Sequence, residues 1–142
     1  LSMPIWPCDD WTALHLASWQ GHLGIVKLLV KQAGADVDGQ TTEGRTPLHL
    51  ASQRGQYRVA RILIELGADT GHTKIHGQNA HGLTPLHLAS QRGHLATVKM
   101  LIEEGADPYR SDQALRRPCH LAAENGHWGH INVLDLKALS AL

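Results

Sequence analysis

The chain has little cysteine, no excess of either charge and no long apolar run. Its two cysteines, Cys8 and Cys119, lie near opposite ends, which argues against a disulfide framework and favours an intracellular protein. Thirteen basic and thirteen acidic side chains cancel, so no net field attracts nucleic acid or an anionic membrane. No stretch approaches the roughly 18 apolar residues of a membrane span, and the first ten residues lack a secretory pattern. We therefore expect a cytoplasmic protein, with the nucleus as the alternative compartment.

Motifs of catalysis and cofactor binding are also missing. Neither G-x-G-x-x-G nor G-x-x-x-x-G-K-S/T occurs, so the glycines do not form a phosphate-binding loop. No Ser/His/Asp or Cys/His arrangement stands apart from the repeated strings described next. We expect no enzymatic activity and no cofactor. Because the first residue is Leu, we also expect the chain to be a fragment of a longer protein.

A six-residue string, Thr-(Pro/Ala)-Leu-His-Leu-Ala, occurs three times, and a degenerate fourth copy follows. The copies begin at Thr12, Thr46, Thr84 and Arg117, with spacings of 34, 38 and 33 residues. Self-similarity at about 33 residues around a T-P-L-H-x-A core resembles the ankyrin repeat. The resemblance covers about residues 9–136. It implies an all-α solenoid of about four helix-turn-helix repeats joined by turns or hairpins.

The second copy shows how the residues favour this fold. Thr46 is placed to cap a helix, Pro47 occupies its first position, and Gly55 ends it. A second helix is predicted from 56 to 66, because four apolar residues fall at i, i+3, i+4 and i+7. These residues are Val59, Ile62, Leu63 and Leu66. Neither helix can bury its apolar side alone, so neighbouring copies must stack.

We predict one domain over residues 1–142, with repeats at 9–41, 42–79, 80–112 and 113–142. The connection after the second repeat is longer than the others, with five surplus residues inside 70–80. It is interpreted either as a longer, mobile loop or as the remnant of a lost repeat. The fourth copy lacks the capping Thr and places Cys119, which we expect to be buried, at a core Leu position. Its second helix is predicted near 128–139, and residues 1–8 are predicted to fray.

Eleven histidines raise the question of a metal site. Seven belong to the repeat: four in the hexamer and three after the glycine between helices. They are His15, His49, His87, His120, His22, His94 and His127. Of the other four, His130 falls at an apolar-stripe position of the fourth copy, and His72, His76 and His81 form a cluster. The cluster lacks cysteines or a zinc-type spacing, so we predict no metal.

In ankyrin repeats the turn tips and the outer side of the first helices form a concave groove for a protein partner. The resemblance therefore assigns the partner site to positions that do not carry the fold. These positions are Trp11, Trp19, Arg45, Gln53, Arg54, Leu83, Gln91, Arg92 and Arg116. Trp11 and Trp19 are expected to be exposed aromatics, which are enriched in binding hot spots, although Trp11 could instead cover an end of the stack. Arg54 and Arg92 have no nearby acid in sequence, which favours a partner with carboxylates or phosphates.

Two segments carry a narrower resemblance. The run 44–63 and the run 93–99 resemble the ankyrin region of receptor-interacting serine/threonine kinases. In that group a kinase domain precedes the array, and this chain has no H-R-D or D-F-G string. The resemblance implies the interaction arm of a signalling protein. We predict a monomeric protein-interaction module, with a purely structural segment of a longer array as the first alternative and an enzyme as the second.

Overall fold

The computed structural model describes residues 10–70, 81–127, 129 and 134. Seven helices and no strand occur in these residues, in agreement with the predicted all-α fold. The helices are α1 Ala13–Gln20, α2 Leu23–Lys31, α3 Pro47–Arg54, α4 Tyr57–Glu65, α5 Pro85–Arg92, α6 Leu95–Glu103 and α7 Pro118–Glu124. No helix in this part of the chain has the length and apolar character that crossing a membrane requires.

The first three hexamers each begin a short first helix in the predicted way. The Thr46 hydroxyl oxygen accepts a hydrogen bond from the backbone N–H of His49 at 3.3 Å, and Thr84 does the same for His87 at 3.2 Å. Such caps satisfy N–H groups that have no partner within the helix. Gly55 then ends α3 with φ of 70°, in the left-handed region that favours glycine.

The helices pack in two rows. The first helices α1, α3, α5 and α7 lie side by side in chain order, and the second helices α2, α4 and α6 form the other row. Leu48 and Leu86 of the first row and Leu63 and Leu101 of the second row are fully buried. The core therefore runs continuously between the rows and from one repeat to the next, as stacking requires.

The fourth copy departs from the pattern in its described residues. Arg117 has the extended backbone of a helix cap but gives α7 no side-chain cap. Cys119 is half-buried and packs against the core, so the expectation of a buried cysteine is corrected. The predicted second helix lies outside the described residues apart from 129 and 134, as do the predictions for 1–8 and for most of the 70–80 connection.

Candidate partner-binding surface

Each repeat carries a pair of side chains on the outer side of its first helix. One precedes the capping position, and the other follows eight residues later, about two helical turns along the same side. We call each pair a rung. The four rungs are Trp11/Trp19, Arg45/Gln53, Leu83/Gln91 and Arg116/Glu124. Because the first helices stand side by side, the rungs follow one another along the array.

The first rung is aromatic. Trp11 and Trp19 meet edge to face with ring centroids 5.5 Å apart, a preferred geometry for aromatic pairs. The guanidinium carbon of Arg54, from the next repeat, lies 4.6 Å from the Trp19 ring centroid. Both tryptophans are half-buried, so the expectation of exposed aromatics is corrected. They form a small cluster with Arg54 that joins two repeats.

The second and fourth rungs hold arginines that already have partners. Arg45 donates from Nη1 to Oε1 of Gln53 at 2.6 Å and lies 3.4 Å from the carboxylate of Glu43. Arg116 pairs with Asp112 at 3.1 Å and with Glu124 at 3.3 Å. Burial would raise the pKa of Asp112, but the hydrogen bonds and charge of Arg116 hold that pKa below its usual range. These two guanidinium groups are therefore neutralised within the chain.

The third rung is uncharged and is flanked by a different kind of arginine. Leu83 and Gln91 are both half-buried. Arg92 follows Gln91, is exposed, and has no ion pair within the described residues. Arg54 occupies the matching position of the preceding repeat and, within the same part of the chain, also has no acidic partner. Among the described residues, the middle of the surface thus combines an apolar side chain with two arginines that have no acidic partner.

Three hexamer histidines brace this surface from below. Nδ1 of His49 accepts the N–H of Thr46 at 3.1 Å, and its Nε2 lies 2.8 Å from the carbonyl oxygen of Leu83 in the next repeat. His87 makes the same link to Arg116 at 2.9 Å, and His15 links to Gly39 at 2.9 Å. Since a carbonyl oxygen can only accept, Nε2 must carry the proton and the ring is neutral. The links of His49 and His87 fix the backbone at the first residue of the following rung, and His15 does so through a further contact with the carbonyl oxygen of Arg45 at 3.1 Å.

The neutral state of these rings follows from their surroundings. Burial is the main cause that lowers the pKa of His49 to about 4, and the charge of Arg45 adds to it against the opposing hydrogen bond to Leu83. Burial likewise lowers the pKa of His15 and His87. The three hexamer histidines are structural, as the sequence predicted.

A second set of side chains reaches backward to the preceding repeat. Nε2 of His94 donates to the carbonyl of Gln53 at 2.9 Å, and His127 contacts the carbonyl of Gln91 at 3.1 Å. Gly55 makes the first contact possible, because a Cβ there would lie 2.6 Å from the His94 ring. These cross-repeat links were missed by sequence reasoning, since the hexamer spacing does not reveal which carbonyls lie opposite.

The described residues do not bring a set of metal ligands together. Within residues 10–70 and 81–127, no three His, Cys, Asp or Glu side chains could hold a metal ion. His72 and His76 of the predicted histidine cluster lie outside the described residues.

Comparison with known proteins identifies the class. The family of "Ankyrin repeats (3 copies)" matches residues 4–74, and "Ankyrin repeat" matches residues 81–113. The chain belongs to the ankyrin-repeat family. Repeats of this kind are protein-interaction modules, and the array is one such module.

Curated relatives resemble part of the chain. It is 51% identical over 61 residues to human protein phosphatase 1 regulatory subunit 27, a match that covers 43% of this chain and 39% of that protein. It is 45% identical over 58 residues to chicken nuclear factor NF-kappa-B p105 subunit, covering 41% of this chain and 6% of the relative. Mouse protein phosphatase 1 regulatory subunit 12A is 44% identical over 54 residues, or 38% of this chain and 5% of that protein. The matches thus span well under half of these relatives, and none of the three is a receptor-interacting kinase.

Proposed function

We propose that the row of rungs binds an extended, carboxylate-bearing segment of a protein partner. Its binding centre lies between the first and third rungs, where Arg54 and Arg92 flank the groove. Arginine engages carboxylates through two parallel hydrogen bonds, which gives both affinity and direction. The observation that carries this proposal is the contrast between these two arginines, which have no acidic partner among residues 10–70 and 81–127, and the paired Arg45 and Arg116.

Apolar contacts complete the proposed site. Leu83 lies in the rung between Arg54 and Arg92 along the chain, and the tryptophan pair lies beside Arg54. Aromatic side chains and arginine are enriched at interface centres, and a half-buried tryptophan offers its remaining face at little entropic cost. Arg45, Gln53, Gln91 and Arg116 shape the sides of the groove. Their internal hydrogen bonds make that shape rigid before a partner arrives, which lowers the cost of ordering on binding.

At the level of the whole protein, we propose a non-catalytic regulatory or scaffolding arm of a longer signalling protein. Regulatory subunits among the relatives support such a role, and the runs 44–63 and 93–99 keep the link to receptor-interacting kinases as a hypothesis. The array is proposed to act as one monomeric domain over residues 1–142, with the four repeat boundaries given above, in the cytoplasm or nucleus. It is proposed to need no cofactor and to bind neither nucleic acid nor membranes.

A displayed library of random peptides tests the proposed site. Selection on the parent chain should enrich peptides that carry two or more Asp or Glu residues near an apolar residue. Arg54→Ala combined with Arg92→Ala should abolish that enrichment, because both carboxylate contacts are lost. Binding of a selected peptide to the parent chain should weaken as salt is raised, since exposed charge pairs are screened.

A matched pair of substitutions controls for net charge. Arg58→Ala with Lys99→Ala also removes two exposed positive charges, but from α4 and α6 in the other row of helices. The control should bind selected peptides as the parent does. If the control loses binding as strongly as the Arg54/Arg92 variant, overall charge and not the groove is responsible. Enrichment of basic or uncharged peptides would refute the proposed partner chemistry.

A further inference from the structure

The outer face of α2 is apolar and open. Ile25 is 49% exposed and Leu28 is 51% exposed, whereas Val26 between them is fully buried. Large apolar side chains on one helix face, exposed together, mark an interaction surface more often than isolated ones do. Neither residue belongs to the groove, because α2 lies in the other row of helices.

The matching positions of the later repeats are closed. Val59 and Thr97 take the place of Ile25, and they are 2% and 1% exposed. Met100, which takes the place of Leu28 in the third repeat, is 1% exposed, and Ile62 in the second is half-buried. The second helices pack in the order α2, α4, α6. Within the described residues, α4 and α6 each pack against a preceding second helix, whereas α2 is the first of that row.

A pattern of hydrogen bonds between repeats also indicates an open surface on the first repeat. Gln56 donates from Nε2 to the carbonyl of Trp19 at 3.2 Å, just as His94 and His127 contact carbonyls of the repeat before them. His22 holds the corresponding position in the first repeat and is exposed. Every described copy of this position except the first thus bonds to the last turn of a preceding first helix.

We propose that the α2 face formed by His22, Ile25 and Leu28 is a stacking surface for one further ankyrin-type repeat. That repeat would set its second helix against Ile25 and Leu28. Its first helix would present to His22 the carbonyl that lies two residues before its closing glycine, as Trp19, Gln53 and Gln91 do in the copies seen here. The surface is continuous with the repeat–repeat interfaces inside the molecule, which defines the shape and the hydrogen-bond acceptor of its occupant.

A chain extended by one repeat tests this assignment. A copy of residues 35–68, which contains α3 and α4, is fused ahead of residue 1, because this join keeps the 34-residue period between the copied Thr46 and Thr12. The extended chain should unfold in one transition with a midpoint raised by roughly 4 °C or more. Amides of α2 should exchange more slowly with solvent than in the parent chain.

Substitutions made in both chains separate stacking from a general effect of length. Ile25→Lys with Leu28→Lys should change the midpoint little in the parent but remove the gain in the extended chain. His22→Ala should remove part of that gain and leave the parent unchanged. Leu115→Lys, at a side chain that is 80% exposed elsewhere in the array, should have the same small effect in both.

Three results would overturn the proposal. The added repeat could leave the midpoint and α2 exchange unchanged. The lysine pair could cost the same in both chains. The parent chain could sediment as a dimer that the lysine pair dissociates, in which case a second copy and not a preceding repeat covers α2.

Discussion

The second and third repeats differ from the fourth in how their first helices are held. His49 and His87 are fully buried, accept from a capping threonine and bond to the backbone of the next repeat. His120 has the same place in the hexamer and is exposed, and its ring Nδ1 accepts the backbone N–H of Arg117. Among the described residues, the same local string therefore gives a strong brace where a threonine precedes it and its histidine is buried, and a weaker brace in the fourth copy.

The largest change in the free energy of unfolding is expected from substitutions in the apolar core. Leu63→Ala should lower the free energy of unfolding by roughly 2–5 kcal/mol, because Leu63 is fully buried and the cavity cannot collapse between two packed rows. Leu29, at the matching position of the first repeat, is half-buried, so Leu29→Ala should cost less. Chemical denaturation of both variants checks the order. Equal losses would show that the interior repeats are no better packed than the first.

The second-largest effect is expected from acid, which should weaken the hydrogen bonds of the buried His49. The folded pKa of His49, about 4, lies below its ordinary value of 6.5, so the unfolded chain binds a proton first as pH falls. The stability that needs the neutral ring is complete above pH 6.5 and declines towards about pH 4. On the order of 3 kcal/mol is at stake at His49. Unfolding measured from pH 7 to 4 should be less pH-dependent in His49→Gln than in the parent chain. A parent chain with constant stability over this range would contradict the neutral-ring assignment.

Substitutions at the capping position should change the stability less, and with opposite signs at Thr84 and Arg117. Thr84→Ala should cost about 1 kcal/mol, the usual contribution of a cap. Arg117→Thr should stabilise α7 by a similar amount, because α7 has no side-chain cap. Thermal unfolding of the two variants measures both. If Arg117→Thr is neutral, the missing cap is not what weakens the fourth repeat.

The smallest effect on stability is expected from substituting the two arginines of the groove. Arg54→Ala with Arg92→Ala should change the unfolding free energy by less than about 1 kcal/mol, chiefly through the lost contact of Arg54 with Trp19. Binding of acidic peptides should nevertheless be lost. Calorimetric unfolding of the double variant checks the first half. A loss as large as that of Leu63→Ala would mean that these arginines hold the repeats together.

Sequence reasoning located the elements well, because caps and stops are local. Thr46, Pro47 and Gly55 set the bounds of α3, and the apolar spacing predicted α4 to within one residue at each end. The side-chain contacts of the partner-binding surface were predicted less well, because several of them join residues that lie 30 or more positions apart in the sequence. The contact of Arg54 with Trp19 and the bond of His94 to Gln53 join positions that share no local motif. Trp11 and Trp19 were expected to be exposed for that reason.

We infer that hydrogen bonds between repeats make the first helices of the second and third repeats more stable than that of the fourth. Native-state hydrogen exchange is the most direct test of this difference. We expect amides in α3 and α5 to exchange slowest and those in α7 fastest among the first helices, and Arg117→Thr should reduce the difference in exchange rate. Uniform protection across α3, α5 and α7 would contradict it, because helices with and without a threonine cap and a cross-repeat histidine bond would then be equally stable.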